Sequence, residues 1–116
     1  MTANKHTPGP WVQVSVTGGW DGVAEVANRK SHICALKLNN PANARLIAAA
    51  PDLLEACQTF SEWLRREEAG FPAETRFGTP DGEAKWREWY FENLRICDLA
   101  QTLARDAIAK ATGGAA

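Results

Sequence analysis

Asn43-Ala44-Arg45-Leu46-Ile47-Ala48-Ala49-Ala50-Pro51-Asp52-Leu53-Leu54-Glu55-Ala56 is a run of helix-forming residues divided by a single proline. Ala, Leu, Arg and Glu lose little side-chain freedom in a helix, whereas Pro51 lacks an N–H and its ring meets the carbonyl four residues back. The same ring is well tolerated in the first turn of a new helix. The stretch therefore predicts two helices with a break or sharp kink after Ala50. Asn39-Asn40-Pro41 predicts the start of the first, with the Asn40 side chain capping orphan amides and Pro41 at the first helical position. In the second helix Leu53, Cys57, Phe60 and Leu64 form an apolar stripe expected to face the sheet or another helix. Arg65-Arg66-Glu67-Glu68 reads as its solvated end.

Working back toward the N-terminus, Val12, Val14 and Val16 alternate with Gln13, Ser15 and Thr17, the period-2 pattern of a strand with one buried face. Gly18-Gly19 and Asp21-Gly22 are both hairpin-turn candidates, because each tolerates positive φ. A second strand is expected from about Val23 to Ala27. After the polar turn at residues 28–31, Cys34, Leu36 and Leu38 alternate with Ile33, Ala35 and Lys37 as a third strand. Residues 1–10 form a proline-rich lead-in in which Gly9 permits positive φ and which is expected to seat Trp11 against the fold.

Toward the C-terminus, residues 70–82 are punctuated as a loop by Gly70, Pro72, Gly78, Pro80 and Gly82, with Phe71 and Phe77 expected to pin it. A long helix follows from about Glu83 to Thr112, stopped by Gly113-Gly114. Its broad apolar face carries Trp86, Trp89, Tyr90, Ile96, Cys97, Ala100, Leu103, Ala104, Ala107 and Ile108. Phe91 projects instead among Arg87, Arg95 and Asp98, which marks either an interaction surface or the seat of a loop folded back over it. The expected fold is α+β and a single domain spanning 1–116. A three-stranded antiparallel β-meander (11–38) packs against two to three helices, with a helix pair at 41–69 and the long helix at 83–112.

Thirteen basic and fourteen acidic residues leave a net charge of −1, without the footprint of a general nucleic-acid or anionic-membrane binder. No apolar run approaches the length of a membrane span, and a cytoplasmic protein is expected. Cys34, Cys57 and Cys97 are an odd number within apolar segments, which predicts reduced core thiols. Five tryptophans are many for 116 residues, and tryptophan is enriched at contact surfaces.

His6, His32, Cys34, Asp21 and Glu25 are the residues from which a metal or acid–base site could be built. His32 and Cys34 would share a strand face at i and i+2, but a third ligand has no diagnostic spacing, and no metal or cofactor is expected. The local devices for hydrolysis and nucleotide cradling are absent from the sequence, and Gly18-Gly19-Trp20 is read as a hairpin turn rather than a phosphate loop. Cys57 and Cys97, read as buried in apolar stripes, are expected to be inert, so no catalytic residue is assigned. The alanines at 42, 44 and 48–50 allow close backbone approach, within the domain or at a dimer seam. No coiled-coil heptad tract of useful length is evident, which argues against a structural virion role.

The lead-in His6-Thr7-Pro8-Gly9-Pro10-Trp11, the segment from Asn43 to Ala56, and the ending Leu103-Ala104-Arg105-Asp106-Ala107-Ile108-Ala109-Lys110-Ala111-Thr112-Gly113 resemble a family of small accessory proteins of tailed bacteriophages and prophages. The resemblance implies expression in the cytoplasm of an infected bacterium and a role in managing the host, and it carries over no catalytic residue. The expected function is non-enzymatic: binding and modulating a host protein, such as a component of antiviral defence. The alternative is a sponge that sequesters a nucleotide immune signal at a homodimer interface, with tryptophans stacking on a base and Arg29, Lys30 or Arg45 meeting phosphates. The binding residues expected from these two readings are Trp20, Trp86, Trp89, Tyr90, Phe91, Arg29 and Arg45.

Overall fold

The structure, a computed structural model, describes residues 6–16, 18–26, 31–36, 40–72 and 78–114. Strands β1 (Trp11–Val16), β2 (Trp20–Glu25) and β3 (His32–Leu36) precede helices α1 (Pro41–Ala48), α2 (Ala50–Ala69) and α3 (Pro80–Thr112). The sheet is antiparallel in the order β1-β2-β3, the meander expected from the strand patterns. The fold is α+β.

Gly18 and Gly19 hold φ of 85° and 81°, so they make the β1–β2 turn. Asp21-Gly22 instead lies within β2, which begins three residues earlier than expected. Gly22 is needed there for space: a Cβ would come within 3.0 Å of Val16 Cγ2 and 3.1 Å of the Cys34 carbonyl oxygen.

The sheet faces are assigned differently from the simple alternation. Val23 is fully buried with Ala44 and Ala48 of α1, and Trp11, Ile33, Cys34, Leu36 and Ile47 pack around them. Gln13 is the register partner of Val23, and directly paired residues share a face, so β1 turns Trp11 and Gln13 toward α1. Val12, Val14 and Val16 therefore lie half-buried on the face turned away from α1. Gln13 Nε2 donates to Asp21 Oδ1 at 3.0 Å, which satisfies one oxygen of a carboxylate that is otherwise buried.

A register shift between Val23 and Ala24 pairs Cys34 with Val23 but His32 with Ala24, leaving Ile33 as the extra residue of a bulge. Ile33 and Cys34 both reach the core as a result. His32 falls on the opposite face, beside Gly22, so His32 and Cys34 do not share a face as expected.

Asn40 Oδ1 accepts from the Asn43 amide at 3.2 Å and Pro41 opens α1. The break lies at Ala49, one residue earlier than expected, and Pro51 sits in the first turn of α2. The lead-in seats Trp11 as expected: its indole Nε1 donates to the Thr7 carbonyl at 3.1 Å, and the His6 ring meets it edge-on at 6.0 Å. Gly9 is not at positive φ; it lets the chain pass Pro51, where a Cβ would stand 3.0 Å from that ring.

Helix α3 starts at Pro80, three residues before the expected start, because Thr79 Oγ1 caps it by accepting from the Gly82 amide at 3.0 Å. It ends at Gly113, whose φ is 72°. Its 33 residues extend about 50 Å at the usual helical rise. α2 lies antiparallel along it, and two polar contacts set their register. Lys110 Nζ meets Asp52 Oδ2 at 2.8 Å near one end. Toward the other, Arg66 Nε donates to Asn93 Oδ1 at 2.6 Å while Asn93 Nδ2 donates to Glu67 Oε1 at 3.1 Å. Asn93 is only 2 % exposed, and all of its partners lie on α2, so it holds one sliding position of the hairpin.

The molecule measures 69 × 28 × 21 Å. Its radius of gyration is 19.8 Å, against about 13 Å for a compact domain of roughly this length.

Candidate interaction surface

The first half of α3 and the end of α2 gather most of the aromatic side chains. Trp86 and Tyr90, one helical turn apart, stack with centroids 5.0 Å apart and planes inclined by 12°. Phe91 meets the Tyr90 ring edge-on at 5.6 Å and is 60 % exposed. On the other side of the helix Trp89 takes Phe71 edge-on at 5.9 Å, so Phe71 ties the start of the α2–α3 connection to α3 as expected. Phe77 lies outside the described residues.

Of the expected binding residues, the structure brings Trp86, Tyr90 and Phe91 into one cluster and sets Trp89 nearby against Phe71. Tyr90 was expected on the apolar inner face and is instead exposed. Phe91 stands on the polar face as its position on the helical wheel requires, with no described loop covering it. Arg29 and Lys30 lie outside the described residues. Trp20 pairs with Val16, on the sheet face turned away from α1. Arg45 lies in α1 against the end of α3, where a Cβ on Gly113 would stand 2.9 Å from Arg45 Nε. A cation there complements the carbonyl end of the α3 dipole. From Gly113 to Trp86 the helix rises about 40 Å, so Arg45 and the aromatic cluster cannot contact one ligand within a single chain.

The second apolar feature was misassigned from the sequence. The α2 stripe expected to be buried is largely open: Phe60 is 51 % exposed, and Cys57 and Leu64 are exposed as well. Cys34 packs against the core as expected, whereas Cys97 is only partly buried on the hairpin and Cys57 is exposed. What α2 presents to α3 is Asp52, Ala56, half-buried Trp63 and Arg66, against Asn93, Ile96, Ala100 and Ala107. Ile108, expected on the inner face of α3, is 56 % exposed beside the open stripe.

The flanks of this surface carry exposed ion pairs. Arg65 Nη2 lies 2.6 Å from Glu62 Oε1, and Arg95 pairs with Glu92 in the same i,i+3 geometry. The hydrogen bonds from these guanidinium groups hold the Glu62 and Glu92 carboxyls below their ordinary range. Among the described residues no group of three or more His, Cys, Asp or Glu is placed to hold a metal ion. No helix among them is long and apolar enough to cross a membrane.

The class defined by this geometry is a small α+β protein whose three-stranded sheet carries a protruding helical hairpin with an aromatic tip. The chain matches the family model of Salmonella phage P22 protein Y8K6 over residues 1–115, and it belongs to that phage protein family. No curated protein and no solved structure matches it.

Proposed function

We propose that this phage protein acts as a stoichiometric, non-enzymatic binder of a host protein in the cytoplasm of the infected bacterium, and that the Trp86–Tyr90–Phe91 cluster is its contact surface. The observation that carries the reading is the exposure of Tyr90 and Phe91 beside half-buried Trp86 on a braced helix. Stacking on Trp86 orders Tyr90 before any partner arrives, so little side-chain entropy remains to be lost on binding. The buried Asn93 clamp steadies the helix one turn further on. A modulated component of antiviral defence is the kind of host target that fits a phage accessory protein of this size. Nucleotide sequestration is the alternative; within one chain Arg45 is packed at the far end of α3 from the aromatic cluster, so a pocket using both would need a second copy.

The test is affinity capture from lysate of the bacterial host with tagged wild-type chain and with Trp86→Ala and Phe91→Ala. A host protein retained at near-equimolar amount by the wild type and lost with either variant is the expected result. Equal capture by all three chains would rule out the aromatic cluster as the contact. A thermal shift with cyclic or linear nucleotides, without any captured protein, would move the assignment to the sponge.

A further inference from the structure

Beside the α2–α3 contact runs an apolar groove of about 600 Å³, lined by Leu53, Cys57 and Phe60 of α2 and by Cys97, Ala104 and Ile108 of α3. Along α2 its stripe has the spacing 53, 57, 60, 64; along α3 a second stripe runs 90, 94, 97, 101, 104, 108. Both alternate steps of four and three, the repeat that keeps two helices in contact along their length. The α3 repeat is inconspicuous in the sequence because Gln101 and Ala104 occupy two of its positions. A tract of that kind was not expected.

The α2–α3 contact uses a different, adjacent seam on each helix, through Ala56, Asn93, Ile96, Ala100 and Ala107. A helix with two neighbouring seams of this repeat is built for two helical neighbours, as in a four-helix bundle. Along this groove each helix has one. We propose that the other two neighbours are α2 and α3 of a second copy, so that the chain is half of a homodimeric four-helix bundle.

Three observations favour a second copy as the occupant. The first is area. The chain exposes 8084 Å², whereas a compact monomer of its mass exposes about 6,200 Å². Part of that excess lies on the open flank of the hairpin, where Phe60, Leu64, Leu94 and Ile108 are exposed, and a standard interface takes ~800 Å² from each partner.

The second is self-complementarity. The Lys110–Asp52 and Arg66–Asn93 contacts set the hairpin register, which brings Cys57 level with Ala104 and Phe60 level with Gln101. A two-fold axis crossing the groove midway between Cys57 and Phe60 lays each Phe60 over the small side chains of Cys57 and Ala104 in the other copy. The same axis sets the Leu53 and Ile108 end of one groove against the Leu64 end of the other. One patch thus supplies both knob and hole, as an isologous contact requires.

The third is charge. The net charge is −1, and Glu62 and Glu92 on the flanks are already paired within the chain, so two copies meet without a large repulsion.

Light scattering or sedimentation equilibrium on the full chain at tens of micromolar tests the proposal. The expected mass is twice the 12.7 kDa of the chain. Phe60→Glu and Ile108→Glu should each raise the dissociation constant about 100-fold, the scale of a central interface anchor, with helical circular dichroism retained because both side chains are exposed in the single chain. Val14→Glu, on the sheet face away from α1, should leave the mass unchanged. A wild-type chain of monomer mass overturns the proposal, as does a dimer that survives both hairpin variants and breaks with Val14→Glu. Alkylation of Cys57 in the wild type gives a reading that needs no hairpin variant. In the dimer this thiol is covered, so its modification should accelerate on dilution; a rate independent of concentration would also overturn the proposal. None of these measurements involves the host partner.

Discussion

At the sheet end, Val23, Ala44 and Ala48 are sealed from solvent by Trp11, Ile33 and Leu36, while on the hairpin Phe60, Tyr90 and Phe91 stand in water. Small side chains do the burying in one region, and large ones are left outside in the other. The difference follows from what each region packs against. Helix α1 lies close on a sheet whose central strand offers Val23 between Asp21 and Glu25, and the α1 residues fully buried against it are alanines, with Ile47 packed beside them. α2 and α3 meet through alanines, Ile96, half-buried Trp63 and a buried asparagine, which leaves Phe60, Leu64 and Ile108 on the flank. A chain arranged in this way has a small core of its own and a large apolar surface for another molecule.

The largest effect that would test this contrast is overpacking of the sheet end. Ala48→Leu should cost about 3 kcal/mol in chemical denaturation, because its neighbours Val23 and Ala44 are fully buried and have nowhere to move. A cost below about 0.5 kcal/mol would show that the alanine contact is loose.

Next is the hairpin clamp. Asn93→Leu removes the amide that joins Arg66 and Glu67 and should cost about 2 kcal/mol. Slower amide exchange in the second half of α2 in this variant would contradict the clamp. Thr79→Ala deletes the α3 cap and should cost about 1 kcal/mol, read from thermal unfolding together with loss of helical signal in the first turn.

Phe91→Ala should change stability by less than about 0.5 kcal/mol, since the ring is mostly exposed, while abolishing host-protein capture. A large loss of stability would place Phe91 in the fold rather than on the contact surface.

The smallest effect is electrostatic. The Glu62 and Glu92 carboxyls are held below their ordinary range in the folded chain by hydrogen bonds from Arg65 and Arg95. Their contribution is therefore present above the ordinary carboxylate range and is lost as pH falls through the lowered values. Both groups are exposed and screened, so Glu62→Gln should lower Tm at pH 7 by less than any destabilising substitution above, and the difference should vanish in acid.

Much of the fold is legible along the chain because its signals are local. Proline at 51 cannot continue a helix, Asn40 sits where orphan amides need an acceptor, and Gly113 stops α3 at positive φ, whereas the Thr79 cap went unread and Gly18-Gly19 was one of two turn candidates. The aromatic cluster was legible for the same reason, since helical geometry alone puts Trp86 and Tyr90 one turn apart and Phe91 on the polar side. The faces were another matter. The valines of β1 looked like the buried side, yet the fully buried Val23 binds the other face of β1 to the core through its pairing with Gln13. The bulge at Ile33 separates His32 from Cys34, and nothing in the alternation of His32 to Leu36 announces it. Leu53, Cys57, Phe60 and Leu64 are spaced as a core stripe should be, and the spacing is sound, but it does not say which molecule fills the other side.

Residue order along the backbone thus set the elements, their caps and their breaks, because steric limits on φ and ψ and the satisfaction of terminal amides act within a few residues. Which face of β1 meets α1, which flank of the hairpin stays open, and how far Arg45 lies from Trp86 depend on side chains distant in sequence competing for one another's surface. Those outcomes came from packing, in which a seam of Ala56, Trp63, Ile96, Ala100 and one buried asparagine outcompeted the stripe of Leu53, Cys57, Phe60 and Leu64 for the α2–α3 contact.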